Sequence, residues 1–106
     1  MSNTFKNRKR FNYNIGNWDV SNVTDMNYMF YKAARFNSDL SNWNVGKVTN
    51  MSWMFRGARK FNGDISKWNT SQVTDMSCMF YQASEFNSDL SRWNVGKVQK
   101  MNSMFE

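Results

Sequence analysis

Apolar and polar positions recur along the chain with a fixed step. Phe11, Phe36, Phe61 and Phe86 are each 25 residues apart, and Trp18, Trp43, Trp68 and Trp93 keep the same step. Val23, Val48, Val73 and Val98 follow it, as do two methionine columns, Met26, Met51, Met76, Met101 and Met29, Met54, Met79, Met104. The register reaches the first residues, since Met1 and Phe5 lie 25 before Met26 and Phe30. Copies two and four agree at 15 of the 20 positions that start at Phe36 and Phe86, which reads as duplication of a two-unit block. A unit of 25 residues is too short to bury its own apolar face, so neighbouring units must stack and cover one another. The units are 11–35, 36–60, 61–85 and an incomplete 86–106, after a partial, basic N-terminal unit 1–10, all within a single domain 1–106.

Within a unit the apolar spacing changes character. Val23, Met26, Met29, Phe30 and Ala33 fall at i, i+3, i+6, i+7 and i+10, which predicts a short helix or helical turn over Asp25–Ala34 with Thr24 or Asp25 as its cap. Over Phe36–Val45, Asp39, Ser41, Trp43 and Val45 alternate with Leu40, Asn42 and Asn44, which predicts a short strand and a turn. Equivalent strands of successive units then pair in parallel, about 4.8 Å apart. The expected fold class is a repeat solenoid, a stubby rod of four coils.

The string F-N-x-D-L-S-x-W-N-V-x-x-V-T-x-M-S-x-M-F-x-x-A resembles the BspA-like repeat of bacterial surface proteins and lipoproteins, a divergent relative of leucine-rich repeats, over residues 11–106. The resemblance implies a leucine-rich-repeat-like right-handed coil with one short parallel strand and one short helix or helical turn per unit. It also implies adhesion or other protein binding, with no catalytic residues. The chain departs from that setting in having no apolar leader or lipobox cysteine near its start.

Composition narrows the chemistry. The chain has 14 Lys and Arg against 8 Asp and Glu, a net charge of +6, and Lys6, Arg8, Lys9 and Arg10 all precede Phe11. There is no His, and Cys78 is the only cysteine, so the commonest general base and metal ligand is missing and no internal disulfide can form. There is no Gly-rich phosphate loop. The expectation is a protein that is not an enzyme and uses no cofactor. The column Asn14, Asp39, Asp64 and Asp89 raises calcium, but it lacks the Gly-rich turns of calcium-binding repeats and reads as Asx turns, so no metal is expected. No run approaches about 18 apolar residues, so membrane insertion is not expected. As written the chain reads as cytoplasmic, or as a cell-surface module if it is an excised fragment.

The invariant columns are required by the fold. The Trp, Met and Phe columns read as core, although a Trp ladder also suits stacking of sugars or bases, and Met columns an adaptable surface. Asn12, Asn37, Asn62 and Asn87 read as a side-chain amide ladder or as partners of turn backbone groups. Binding belongs to the columns that vary. One holds Tyr28, Trp53, Cys78 and Ser103, another Tyr31, Arg56, Tyr81 and Glu106. Tyr28, Tyr31, Trp53, Arg56 and Tyr81 are the candidate protein-binding face; the alternative is that they only cover the flank of the short helix. Cys78, with no His or basic cluster beside it, reads as inert.

Pairs preceding each repeat Phe are basic in three units, and Arg8, Lys9, Arg10, Lys32, Arg35, Arg59 and Lys60 form a candidate basic edge, either for phosphates or an acidic protein or simply a solvated rim. Met101, Met104 and Phe105 lack a polar cap, which suggests end-to-end association with a second copy or cover by a partner. The expected function is a non-catalytic protein-binding module, adhesin-like or a cytoplasmic binder or inhibitor of a host macromolecule. The alternative is a nucleic-acid or ribonucleoprotein binder that uses the basic edge.

Overall fold

Short polar side chains turn the chain at every corner. The Asp39 carboxylate accepts the Ser41 N–H at 2.9 Å, the Asn44 side-chain carbonyl accepts the Gly46 N–H at 3.0 Å, and that of Asn50 accepts the Ser52 N–H at 2.9 Å. The same three corners recur as Asn14, Asp19 and Asp25, and as Asp64, Asn69 and Asp75. Asn and Asp serve here because their side-chain oxygen mimics a backbone carbonyl and accepts the N–H two residues ahead. Between the corners, backbone bonds close tight turns, with the N–H of Trp43, Val48, Met54 and Ala58 donating to the carbonyls of Leu40, Val45, Met51 and Phe55.

The computed structural model describes residues 1–105. Their turns are stacked in layers, 1–24, 25–49, 50–74, 75–99 and 100–105, joined by isolated parallel bridges Asp25–Asn50, Asn50–Asp75 and Asp75–Lys100. Beyond each bridge the bonds run one way: Met26, Tyr28, Phe30 and Lys32 donate their N–H to the carbonyls of Asn50, Ser52, Met54 and Arg56 in the next layer. Met51, Trp53, Phe55 and Gly57 repeat this toward Asp75, Ser77, Met79 and Tyr81. Bonds on the flanks run the other way, from Thr49 N–H to the Thr24 carbonyl and from Lys60 N–H to the Ala34 carbonyl.

This arrangement overturns the expected solenoid of leucine-rich-repeat type. Among the described residues there is no helix, and the only strand-like residues are the isolated bridges. The body measures 34 × 30 × 23 Å, a compact shape and not a rod. Over Asp25–Ala34 the apolar spacing is real, but consecutive turns satisfy it as well as a helix does. Tyr28 and Lys32 have φ of 59° and 58°, which an α-helix cannot contain, and their N–H groups bond to the next layer instead of to their own turn. Over Phe36–Val45 the Asp39 and Leu40 turns bend the segment before a strand can form.

Side chains join the layers there in place of backbone pairs. The Asn12 side-chain carbonyl accepts the Asn37 N–H at 2.8 Å, and Asn37 and Asn62 repeat the link to Asn62 and Asn87. The Asn column therefore meets backbone N–H groups and does not stack amide on amide. The Ser38 hydroxyl donates to the Tyr13 carbonyl at 2.6 Å.

Two files of phenylalanine form the core. Phe5, Phe30, Phe55, Phe80 and Phe105 stack with centroids 5.4–5.6 Å apart. Phe11, Phe36, Phe61 and Phe86 stack beside them at 5.6–5.8 Å. Methionines Met26, Met29, Met51, Met54, Met76 and Met79 fill the rest, fully buried. Trp43, Trp68 and Trp93 are buried, and each indole N–H donates to a carbonyl of the preceding layer, Ile15, Leu40 and Ile65, at 2.9–3.0 Å. Those three indoles are committed to the interior and offer no face to a sugar or base. Met101 and Phe105 in the last layer and Trp18 in the first remain exposed.

The corner carboxylates make stability depend on acid. The Ser21, Ser41 and Ser66 hydroxyls, followed by the N–H groups of the same serines, hold Asp19, Asp39 and Asp64 below the ordinary value of 3.8; at Asp89 the Ser91 N–H leads. On acidification the unfolded chain therefore takes up protons first, so this contribution is complete above the ordinary carboxylate value and is lost as pH falls through the lowered folded-state values. A triple variant, D39N/D64N/D89N, keeps the turn acceptor, because the asparagine side-chain carbonyl fills that role natively at Asn44 and Asn69. Its denaturation midpoint is expected to fall less between neutral pH and pH about 3 than that of the parent. An identical acid dependence would assign the acid loss elsewhere.

Candidate functional site

Backbone geometry singles out one face. The nine positive-φ positions among the described residues fall in two columns, Asn3, Tyr28, Trp53, Cys78, Ser103 and Asn7, Lys32, Gly57, Gln82, with φ between 52° and 72°. For residues with a Cβ this conformation costs about 1–2 kcal/mol each, and the interlayer bonds of the neighbouring peptide groups offset it. The consequence is positional: the first column carries Tyr28 and Trp53, and Lys32, Gly57 and Gln82 of the second line a groove.

The five residues of the candidate protein-binding face lie together. The Tyr28 and Trp53 rings stack at 5.5 Å and 9°, and Tyr31 meets Tyr28 edge-on at 5.3 Å and Trp53 at 6.2 Å. The Arg56 guanidinium lies 4.8 Å from the Trp53 ring centre, 4.9 Å from that of Tyr81 and 5.7 Å from that of Tyr31. It also donates through Nη1 to the Tyr31 hydroxyl at 3.5 Å, a long contact, and its Nε is buried without a hydrogen-bond partner among the described residues. The rings hold this cation in place of hydrogen bonds. Lys6 joins the cluster, 4.8 Å from the Tyr28 ring centre and 5.5 Å from that of Tyr31. Sequence reasoning placed Lys6 only in the basic start, and the signal that finds it is its position 25 residues before Tyr31. All five candidate residues are half-buried, so each keeps solvent-facing surface. Glu106, the fourth member of the Tyr31 column, lies outside the described residues.

The basic edge divides into separate parts. Lys9, Lys32 and Arg59 line a groove of about 320 Å³ with Ala34, Gly57 and Gln82. Arg8 and Arg10 border a different, open depression with Phe11 and Tyr13. Lys60 pairs with Glu85 at 3.2 Å on an exposed rim, which cancels its charge at that point while adding little stability. Arg35 is exposed and lines neither depression. The groove is open at its third layer because Gly57 lacks a side chain where the neighbouring layers carry Lys32 and Gln82.

Nothing else on the surface gathers reactive groups. Among the described residues no cluster of three or more Asp, Glu or Cys is placed to hold a metal ion. Asp39, Asp64 and Asp89 are each occupied by the serine two residues ahead. Cys78 is a half-buried free thiol whose sulfur lies 3.8 Å from the Asn102 carbonyl. No helix of the described residues is long and apolar enough to cross a membrane.

A family model described as "Mycoplasma protein of unknown function, DUF285" matches residues 1–106. No curated protein and no solved structure matches the chain. The resemblance to BspA-like, leucine-rich-repeat proteins is corrected by this match: the family that covers the chain is a different one.

Proposed function

The chain belongs to this family over its whole length, and from that premise we propose that it is a non-catalytic protein-binding module that works through Tyr28, Tyr31, Trp53, Arg56 and Tyr81. The observation that carries the reading is the assembly of these variable side chains into one continuous, half-buried cluster around the Arg56 guanidinium. Tyr, Trp and Arg supply most of the energy at protein interfaces, because a large rigid surface is desolvated at small entropic cost. Here packing has already fixed the rotamers of rings and guanidinium, so little order remains to be lost on binding.

The test is capture of partners from lysate of the source cell, with and without nuclease, by the chain and by W53A and R56A. A stoichiometric protein that survives nuclease and moderate salt is expected, and each substitution should weaken its binding by about 2 kcal/mol or more. Retention of that protein by both variants would remove this face from the function.

A second reading rests on the groove of Lys9, Lys32 and Arg59: a nucleic-acid or ribonucleoprotein binder. Its affinity would fall steeply with salt, because each phosphate contact releases counterions. Loss of all bound material with nuclease would favour it over the first.

A further inference from the structure

The groove and the aromatic cluster are one surface. Lys32 belongs to both: its Nζ lies 5.2 Å from the Tyr31 ring centre, and the same side chain lines the groove. Counted by layer, Lys9 stands in the first, Lys32 in the second and Arg59 in the third, one cation per layer, alternating between two neighbouring columns. No carboxylate of the described residues lines the groove, and Glu85, on the adjoining rim, is held by Lys60. Three cations are thus set along a trough without a counter-ion among the described residues, beside rings whose edges and hydroxyls donate.

The rings bear on which anion fits. A nucleobase sandwiched between two rings needs about 7 Å between them, two van der Waals contacts of about 3.5 Å. Tyr28 and Trp53 are already stacked at 5.5 Å, and Lys6 and Arg56 lie over them. The cluster is closed to intercalation and presents edges. The trough floor, by contrast, is small: Ala34 and the bare backbone of Gly57, where an added Cβ would stand 3.2 Å from Lys32 Cγ. A main chain can lie there.

We propose that this surface takes an extended acidic segment of a partner protein, its carboxylates against Lys9, Lys32 and Arg59 and its flank along Tyr31, Trp53 and Arg56. The proposal rests on the protein-binding reading and specifies the chemistry of the partner. Charge complementarity sets the orientation and speeds the encounter, and the aromatic flank supplies the apolar contact.

The test is fluorescence anisotropy with labelled oligoglutamate, oligoglutamine and oligothymidylate of matched length, at low and physiological salt. Oligoglutamate is expected to bind saturably and oligoglutamine not to bind. The double reversal K9E/R59E should lower oligoglutamate affinity about tenfold or more, while K47E/K97E, the same charge change outside the groove, lowers it far less. G57N closes the trough sterically and makes the Lys32 side chain give way by a few tenths of an ångström; Asn7 holds this column at φ 63°, so the dihedral suits asparagine, and an unchanged melting midpoint checks the fold. Its oligoglutamate affinity is also expected to drop. Equal responses to the two double reversals, or full affinity in G57N, would overturn the proposal. Tighter, steeply salt-dependent binding of oligothymidylate would overturn it in favour of nucleic acid. If oligoglutamate fails to bind while W53A still abolishes capture of a cellular protein, the acidic-segment proposal falls and the protein-binding reading stands.

Discussion

F55A is expected to destabilise the chain by about 4 kcal/mol, most of the stability of a domain at the low end of the 5–15 kcal/mol typical of folded domains. Phe55 has no exposed surface and sits in the third layer, covered on both sides. Its ring stacks on Phe30 at 5.4 Å and on Phe80 at 5.6 Å, lies 4.2 Å from Phe61 in the parallel file, and approaches Trp68 at 6.4 Å. Because every neighbour is itself held by its own file, the site cannot collapse around the missing ring, and the full cavity cost is felt. Phe5 occupies the same column in the first described layer, with rings at 3.9 Å and 5.6 Å and a stacked ring of its file on one side among the described residues. F5A should cost about half as much. Urea denaturation followed by tryptophan fluorescence measures both, and equal small losses would show that the files do not bear the stability assigned to them.

W68F carries the second large effect, about 2 kcal/mol. The Trp68 indole N–H donates to the Leu40 carbonyl at 3.0 Å in a buried setting. Phenylalanine removes that bond, leaving the carbonyl only the Trp43 N–H, and leaves the volume of the lost ring unfilled, two losses of about 1 kcal/mol each. Trp18 in the same column is 43 % exposed and makes no such bond among the described residues. W18F should therefore change stability by less than about 0.5 kcal/mol. The contrast between two chemically identical substitutions reports what burial and the indole bond contribute together. If W68F is as mild as W18F, the link between layers lies elsewhere.

The 25-residue step and the membership of the core were legible in the sequence because a repeated large apolar residue has few other uses. The local conformation was not. Met26, Met29, Phe30 and Ala33 have helical spacing, but the spacing of buried residues reports only which side chains face inward, and a run of tight turns answers that as well as a helix. The better signal was present in Asp39-x-Ser41, Asn44-x-Gly46 and Asn50-x-Ser52, three Asx turns in one unit, each of which forbids regular structure across it. The left-handed conformation of Tyr28, Trp53 and Cys78 left a single compositional trace, Asn3 at the head of their column, since Gly or Asn would ordinarily hold such positions. Variation between copies pointed to Tyr28, Tyr31, Trp53, Arg56 and Tyr81. Their closure around one guanidinium, and the role of Lys32 at the junction of cluster and groove, depend on how far each side chain reaches across a layer, which spacing alone does not encode.

The one-way bonds from Met26, Tyr28, Phe30 and Lys32 to the following layer give this face an electrical direction. In an ordinary sheet successive peptide dipoles point in opposite senses and cancel, whereas here the interlayer peptide groups of residues 25–32 all aim their N–H toward the last layer, and the groups of 50–57 continue the column. The reversed bonds at Thr49 and Lys60 stay on the flanks and confine the effect. The two ends of the surface therefore differ in potential before any side chain is counted, and a polymer lying along it meets a backbone field that tells its head from its tail.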